Sequence, residues 1–138
     1  MHPVRVTSVF AVLLMAQLWG APLRGEESND RKTEGTIRTV IVTGVDWKTH
    51  LWKETAPALK SLLEKDRRFE VEIVEDVNFL ASDDLTNFDQ IILHFKNYKP
   101  LDQETKAKRN LSSFVERGKG LVVLHYASGA FEESPEFR

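Results

Sequence analysis

Thr39-Val40-Ile41-Val42-Thr43, closed by Gly44, is a short run that is β-branched at every position. A continuous apolar run of this length suits a strand covered on both faces. Beyond Gly44 the period changes. From Thr55, read as a helix N-cap, Ala56, Leu59, Leu62 and Leu63 recur at helical spacing, with Pro57 tolerated as a first-turn residue. A strand therefore feeds a helix. Phe69, Val71 and Ile73 then alternate with Glu70 and Glu72, the pattern of a strand with one wet face, which belongs at a sheet edge. Asp83 to Phe88 allows only a short helix, and Ile91-Ile92-Leu93 repeats the fully apolar run of a central strand. From Asp102, Ala107, Leu111, Phe114 and Val115 share one side of a second amphipathic helix. That helix stops at Gly118, suited to a left-handed C-cap, and Leu121 to Leu124 forms a fourth strand.

Strands alternating with helices, and predominantly apolar inner runs, predict an α/β fold: a doubly wound parallel sheet. In the flavodoxin-like strand order 2-1-3-4-5 the half-wet second strand falls at the edge, and the first, third and fourth lie side by side. Three of the four histidines, His50, His94 and His125, stand at or just past the ends of those three strands. The crevice beyond the carboxyl ends of parallel strands is where such sheets build sites, so these histidines are expected to be neighbours. Arg138 follows the fourth strand by about a dozen residues, short of the fifth strand and last helix of that fold. The expectation is a fold truncated after the fourth strand, left as a fragment or completed by a second copy or a complementing chain.

A chain of 138 residues with 41% hydrophobic content has room for one core. Residues 1–25 read as an export signal: Arg5, an apolar run from Val6 to Trp19, then Gly20 and Ala21. The run falls short of the about 20 apolar residues a membrane span needs, so no stable span is expected once it is removed. This predicts a periplasmic or secreted protein. Glu26 to Gly35 is charged and aperiodic, a flexible tether, which leaves residues 36–138 as the folded domain. The net charge is −2, and removing Arg5 and Arg24 with the signal deepens it. Without a basic face there is no counterion-release route to nucleic acid, and none is expected as a partner. No cysteine is present, so no disulfide or thiol chemistry is available.

Val42-Thr43-Gly44, His50-x-Trp52 and Glu54-Thr55-Ala56-Pro57-Ala58-Leu59 together resemble the opening of the ThuA-like family, named for trehalose utilisation. Gly118-Lys119-Gly120-Leu121-Val122-Val123-Leu124-His125, with Ala130-Phe131 and Pro135-Glu136-Phe137, resembles that family's central strand and following loop. Asn87-Phe88-Asp89-Gln90-Ile91-Ile92 fits the step between them. The resemblance spans residues 38–138 and about the first half of what the family usually has. It implies a class I glutamine amidotransferase-like fold, an exported bacterial protein and a link to disaccharide metabolism, with a carbohydrate as the small-molecule partner.

In amidotransferase-like folds the strand ending at His125 leads into a tight turn that presents a nucleophile. The cysteine this chemistry requires is missing, which excludes amidotransferase activity. His125 is the candidate catalytic residue, as acid/base, metal ligand or donor to a sugar hydroxyl; the alternative is a structural histidine bonded to backbone. His50 and Trp52 are candidate sugar contacts, the indole offering a face for a pyranose, with packing on the helix as the bland alternative. Asp46 could accept from a sugar hydroxyl or cap a turn, and Tyr126 supplies a hydroxyl after the fourth strand. The pleat leaves the direction of His94 open. If His50, His94 and His125 converged on one ion, zinc would be the candidate cofactor, although their spacing carries no metal signature. Ser128 lacks the preceding glycine of a nucleophile elbow, and Gly118-Lys119-Gly120 is a helix stop, not a phosphate loop. Glu132, Glu133 and Glu136 read as a solvated acidic run.

Overall fold

The computed structural model describes residues 35–45 and 48–132. The export segment, most of the tether, Asp46, Trp47, Glu133 and the stretch from Pro135 to Phe137 lie outside the described residues.

Four short strands carry the molecule: β1 (Ile37–Val42), β2 (Phe69–Val74), β3 (Gln90–Leu93) and β4 (Gly120–Val123). They pair in the order β2-β1-β3-β4, all parallel. This is the doubly wound arrangement expected, with the glutamate-bearing β2 at one edge. Val40, Ile41 and Val42 of the central β1 have no exposed surface, and each such burial contributes about 1.5–3 kcal/mol. Because side chains alternate across a strand, successive residues feed opposite layers. Val40, Val42, Ile91 and Leu93 meet Leu111 and Phe114 of helix α2 (Glu104–Glu116), together with Leu80, Leu85 and Phe131. Ile41, Val71 and Ile92 meet Ala56 of helix α1 (Trp52–Leu63), with Leu59 and Leu63 alongside.

The register sets the height of the functional rim. Val42 lies opposite Leu93, and Leu93 opposite Val123. One rung further on, His94 N–H donates to Val42 O at 2.9 Å and Leu124 N–H to Leu93 O at 3.1 Å. Thr43, His94 and Leu124 therefore end their strands at one level. Period two also places Thr43 with Ile41 and His94 with Ile92, on the α1 side of the sheet.

Three expectations change. Helix α1 starts at Trp52, three residues before the Thr55 expected as its cap; its N-cap is Leu51, whose carbonyl accepts from Glu54 and Thr55 N–H at 3.0 Å each. Pro57 then lies in the second turn, where its missing N–H leaves the Lys53 carbonyl without the usual helical donor. Leu62 and Val115, assigned to apolar faces, are 60% and 47% exposed, since they fall at the margins of stripes already filled by Ala56 and by Leu111 and Phe114. Between β2 and β3 the chain makes two 3-10 turns, Val77–Ala81 and Asp83–Asn87; only the second has a counterpart in the sequence pattern. The N-cap of the first, Asp76, accepts from Asn78 N–H at 2.9 Å.

Two glycines hold the strand ends. Gly44 has φ +116°, and a Cβ there would stand 2.3 Å from the Glu75 carbonyl oxygen. The turn after β1 can approach β2 only without a side chain. Gly118, at φ +78°, closes α2, donating to Val115 O at 2.8 Å, as expected of a left-handed cap.

Candidate functional site

His50, His94 and His125 reach the same cleft from three separate strand ends. Its volume is about 300 Å³, and it is lined by Val45, His50, Thr55, His94, Leu124, His125 and Tyr126. The His50 and His125 ring centroids are 5.2 Å apart, and His50 stacks on Tyr126 at 4.5 Å with 14° between planes. Residues 75 positions apart in sequence thus form one aromatic wall, because β1 and β4 flank β3 and both loops lean over its end.

His125 owes its position to a sharp change of backbone direction. It begins a 3-10 turn, His125–Gly129, directly after Leu124, and its φ is +45°. The left-handed region costs a residue with a side chain about 1–2 kcal/mol, and strain of this kind is concentrated at functional turns. The ring is exposed. Among the described residues, the hydroxyl of Tyr126, next in the chain, is buried without a hydrogen-bond partner, an arrangement that costs about 1–3 kcal/mol.

His94 is held differently. Its Nδ1 lies 3.2 Å from Thr43 Oγ1 on β1, and its Nε2 lies 3.2 Å from Thr55 Oγ1 on α1. Thr43 Oγ1 also donates to the His94 carbonyl at 3.1 Å, and Thr55 Oγ1 to the Leu51 carbonyl at 3.1 Å. Burial of the ring, and secondarily the nearby His50, hold His94 below the ordinary histidine pKa. The neutral imidazole is thereby favoured. Among the described residues no carboxylate or ammonium group lines the cleft.

Residues 38–138 match the ThuA family, described as trehalose utilisation. The chain belongs to the ThuA family. It is also similar to the solved structure of a ThuA-like protein from Parabacteroides merdae ATCC 43184, with 28% identity and a TM-score of 0.61 over 74% of this chain. The ThuA region here spans 37% of the length of that protein. No curated protein matches the chain.

Within this ThuA domain the expected site residues part company. His50, His94, His125 and Tyr126 come together. Trp52 does not join them: as the first residue of α1 it is 8% exposed and is absent from the cleft lining. Its indole therefore packs, with the Lys53 ammonium 5.5 Å from the ring, and offers the cleft no stacking face. The three histidines do not form the ligand set considered for zinc, since both nitrogens of His94 face threonine hydroxyls. No group of three or more His, Cys, Asp or Glu among the described residues could hold a metal ion. Asp46 lies outside the described residues, and Glu132 pairs with Lys96 at 3.1 Å away from the cleft. Ser128 is an exposed turn residue.

Two residues that the sequence pattern does not single out as site residues, Thr43 and Thr55, hold His94 in place. Thr43 shares its face of the sheet with His94, a relation that follows from period two once β1 and β3 are aligned. Thr55 carried no such signal, because its role depends on where α1 lies against the sheet.

Proposed function

We propose that the cleft at the carboxyl ends of β1, β3 and β4 binds a disaccharide of the trehalose class and that the protein serves in its utilisation. The convergence of His50, His94, His125 and Tyr126 on one hollow carries this reading. A sugar needs donors and acceptors for its hydroxyls and an aromatic surface for its C–H face. The stacked His50–Tyr126 pair supplies the surface at its accessible side, and the imidazoles and Thr55 supply the polar groups. His125 acts as acid/base toward a sugar hydroxyl or glycosidic oxygen. Hydrolysis by a pair of carboxylates is disfavoured, because among the described residues none lines the cleft. That same observation favours a second reading, a carbohydrate-binding domain without turnover.

Isothermal calorimetry with trehalose tests the proposal. Binding is expected for the full chain, and His125→Ala is expected to weaken it about tenfold or more, as for a lost hydrogen bond to a bound ligand. A chain that melts cooperatively yet takes up no disaccharide would sink the reading. Binding with no reducing sugar released on long incubation selects the second reading over the first.

A further inference from the structure

We infer that Thr43, His94 and Thr55 form a hydroxyl–imidazole–hydroxyl relay. In it the ring is the Nδ1–H tautomer, and the Thr55 hydroxyl gives its proton to Nε2 while presenting its oxygen to a hydroxyl in the cleft. The identity of that ligand hydroxyl as a sugar's rests on the function proposed above; the relay itself rests on a proton count.

Four short contacts share too few protons. Thr43 Oγ1 meets His94 Nδ1 and the His94 carbonyl, and Thr55 Oγ1 meets His94 Nε2 and the Leu51 carbonyl. Carbonyl oxygens only accept, and each hydroxyl has one proton. If both hydroxyls serve their carbonyls, both ring nitrogens must donate, and the ring is an imidazolium. A neutral ring carries one proton, so one hydroxyl must turn from its carbonyl to the ring. The neutral ring is the resting form, because the side chain is half-buried and, among the described residues, the ionisable groups facing it are His50 from the loop after β1 and His125 and Tyr126 from the loop after β4. None of these is an anion able to hold a second proton there.

The surroundings decide which hydroxyl turns. The Leu51 carbonyl already accepts the N–H groups of Glu54 and Thr55 at 3.0 Å each, so losing the Thr55 hydroxyl leaves it satisfied. Among the described residues Thr43 Oγ1 is the one donor to the His94 carbonyl, and it is fully buried, so turning it to the ring would leave that carbonyl unpaired. Thr43 therefore keeps its proton on that carbonyl and accepts from Nδ1–H. Nε2 is left with a lone pair, and the Thr55 O–H points at it.

This arrangement is a base behind a hydroxyl, with the base oriented from its far side, the logic of a nucleophile–histidine–orienter set with a neutral third member. A ligand hydroxyl can pass its proton to Thr55 Oγ1 as Thr55 passes its own to Nε2. One O–H bond breaks on the ligand and one N–H bond forms on the ring, with the electron pair left on the ligand oxygen. In the product the imidazolium donates from both nitrogens, and the Thr55 hydroxyl is free to return to Leu51 O, so all four contacts are satisfied. The fold thereby offsets part of the cost of the buried charge.

The test uses the full chain labelled with 15N-histidine. Two-bond proton–nitrogen spectra are expected to show neutral His94 as the Nδ1–H tautomer with an accepting Nε2. Thr55→Val is expected to move the Nε2 resonance and Thr55→Ser to restore it, with melting temperatures unchanged. An Nε2–H tautomer in the parent chain, or an Nε2 resonance indifferent to Thr55→Val, would overturn the relay. Calorimetry with trehalose separates the two claims. A parent chain that binds should lose about tenfold in affinity with Thr55→Val and recover with Thr55→Ser; unchanged affinity in the valine variant also overturns the relay. A parent chain with the stated tautomer and no trehalose binding keeps the relay and removes the sugar.

Discussion

His94 gives the cleft a dependence on proton concentration whose sign is set by its burial. Its pKa is lowered in the folded chain, chiefly by desolvation and then by His50, from an ordinary value of 6.5. Between that lowered value and 6.5 the unfolded chain holds the proton and the native chain does not. Stability therefore rises with pH across this window and is lost as pH falls through it toward the native value. His94→Asn removes the titrating group, so its denaturation midpoint is expected to vary less between pH 6.5 and mildly acidic pH than that of the parent. Urea titrations at a series of pH values check this; parallel curves for the two proteins would count against a buried neutral imidazole.

Two turns, after β1 and after α2, take a positive φ that calls for glycine. Gly44 is the clearest case, since both its φ of +116° and the Glu75 carbonyl oxygen 2.3 Å from a would-be Cβ forbid a side chain. Gly118 shares the positive φ, at +78°, but nothing lies within 4 Å of its would-be Cβ. Gly118→Ala is expected to cost about 1 kcal/mol, the left-handed term alone, and Gly44→Ala about 2–4 kcal/mol, because the β1 and β2 ends must also separate. Comparing the two denaturation midpoints checks the difference. Equal losses would mean that the close approach of the two strand ends is not holding the turn.

At the scale of the whole molecule the two sheet edges are unlike. β2 carries exposed Glu70 and Glu72 along its length, charges that discourage pairing with another strand. β4 has none: Gly120–Val123 is apolar, pairs only with β3 among the described residues, and leaves Val122 and Val123 36% and 43% exposed. An apolar outer strand without charges offers its backbone groups to a further strand, from this chain or from another. Val123→Lys is expected to reduce concentration-dependent association in sedimentation velocity, with the melting temperature little changed. Association unaffected by the lysine would place the sticky surface elsewhere.

The alternation of strands and helices, the edge position of β2 and the lining-up of His50, His94 and His125 at one rim were legible in the sequence. Each depends on a local period of two or 3.6 residues and on the rule that parallel strands open their sites at the carboxyl ends. Thr43 to His94 spans 51 residues and Thr55 to His94 spans 39, and no local pattern records such pairings. They depend on sheet register and on the start of α1 at Trp52, as do the burial of Trp52 and the stacking of Tyr126 on His50. Periodicity chooses the face a side chain takes; only the assembled layers choose what it meets there.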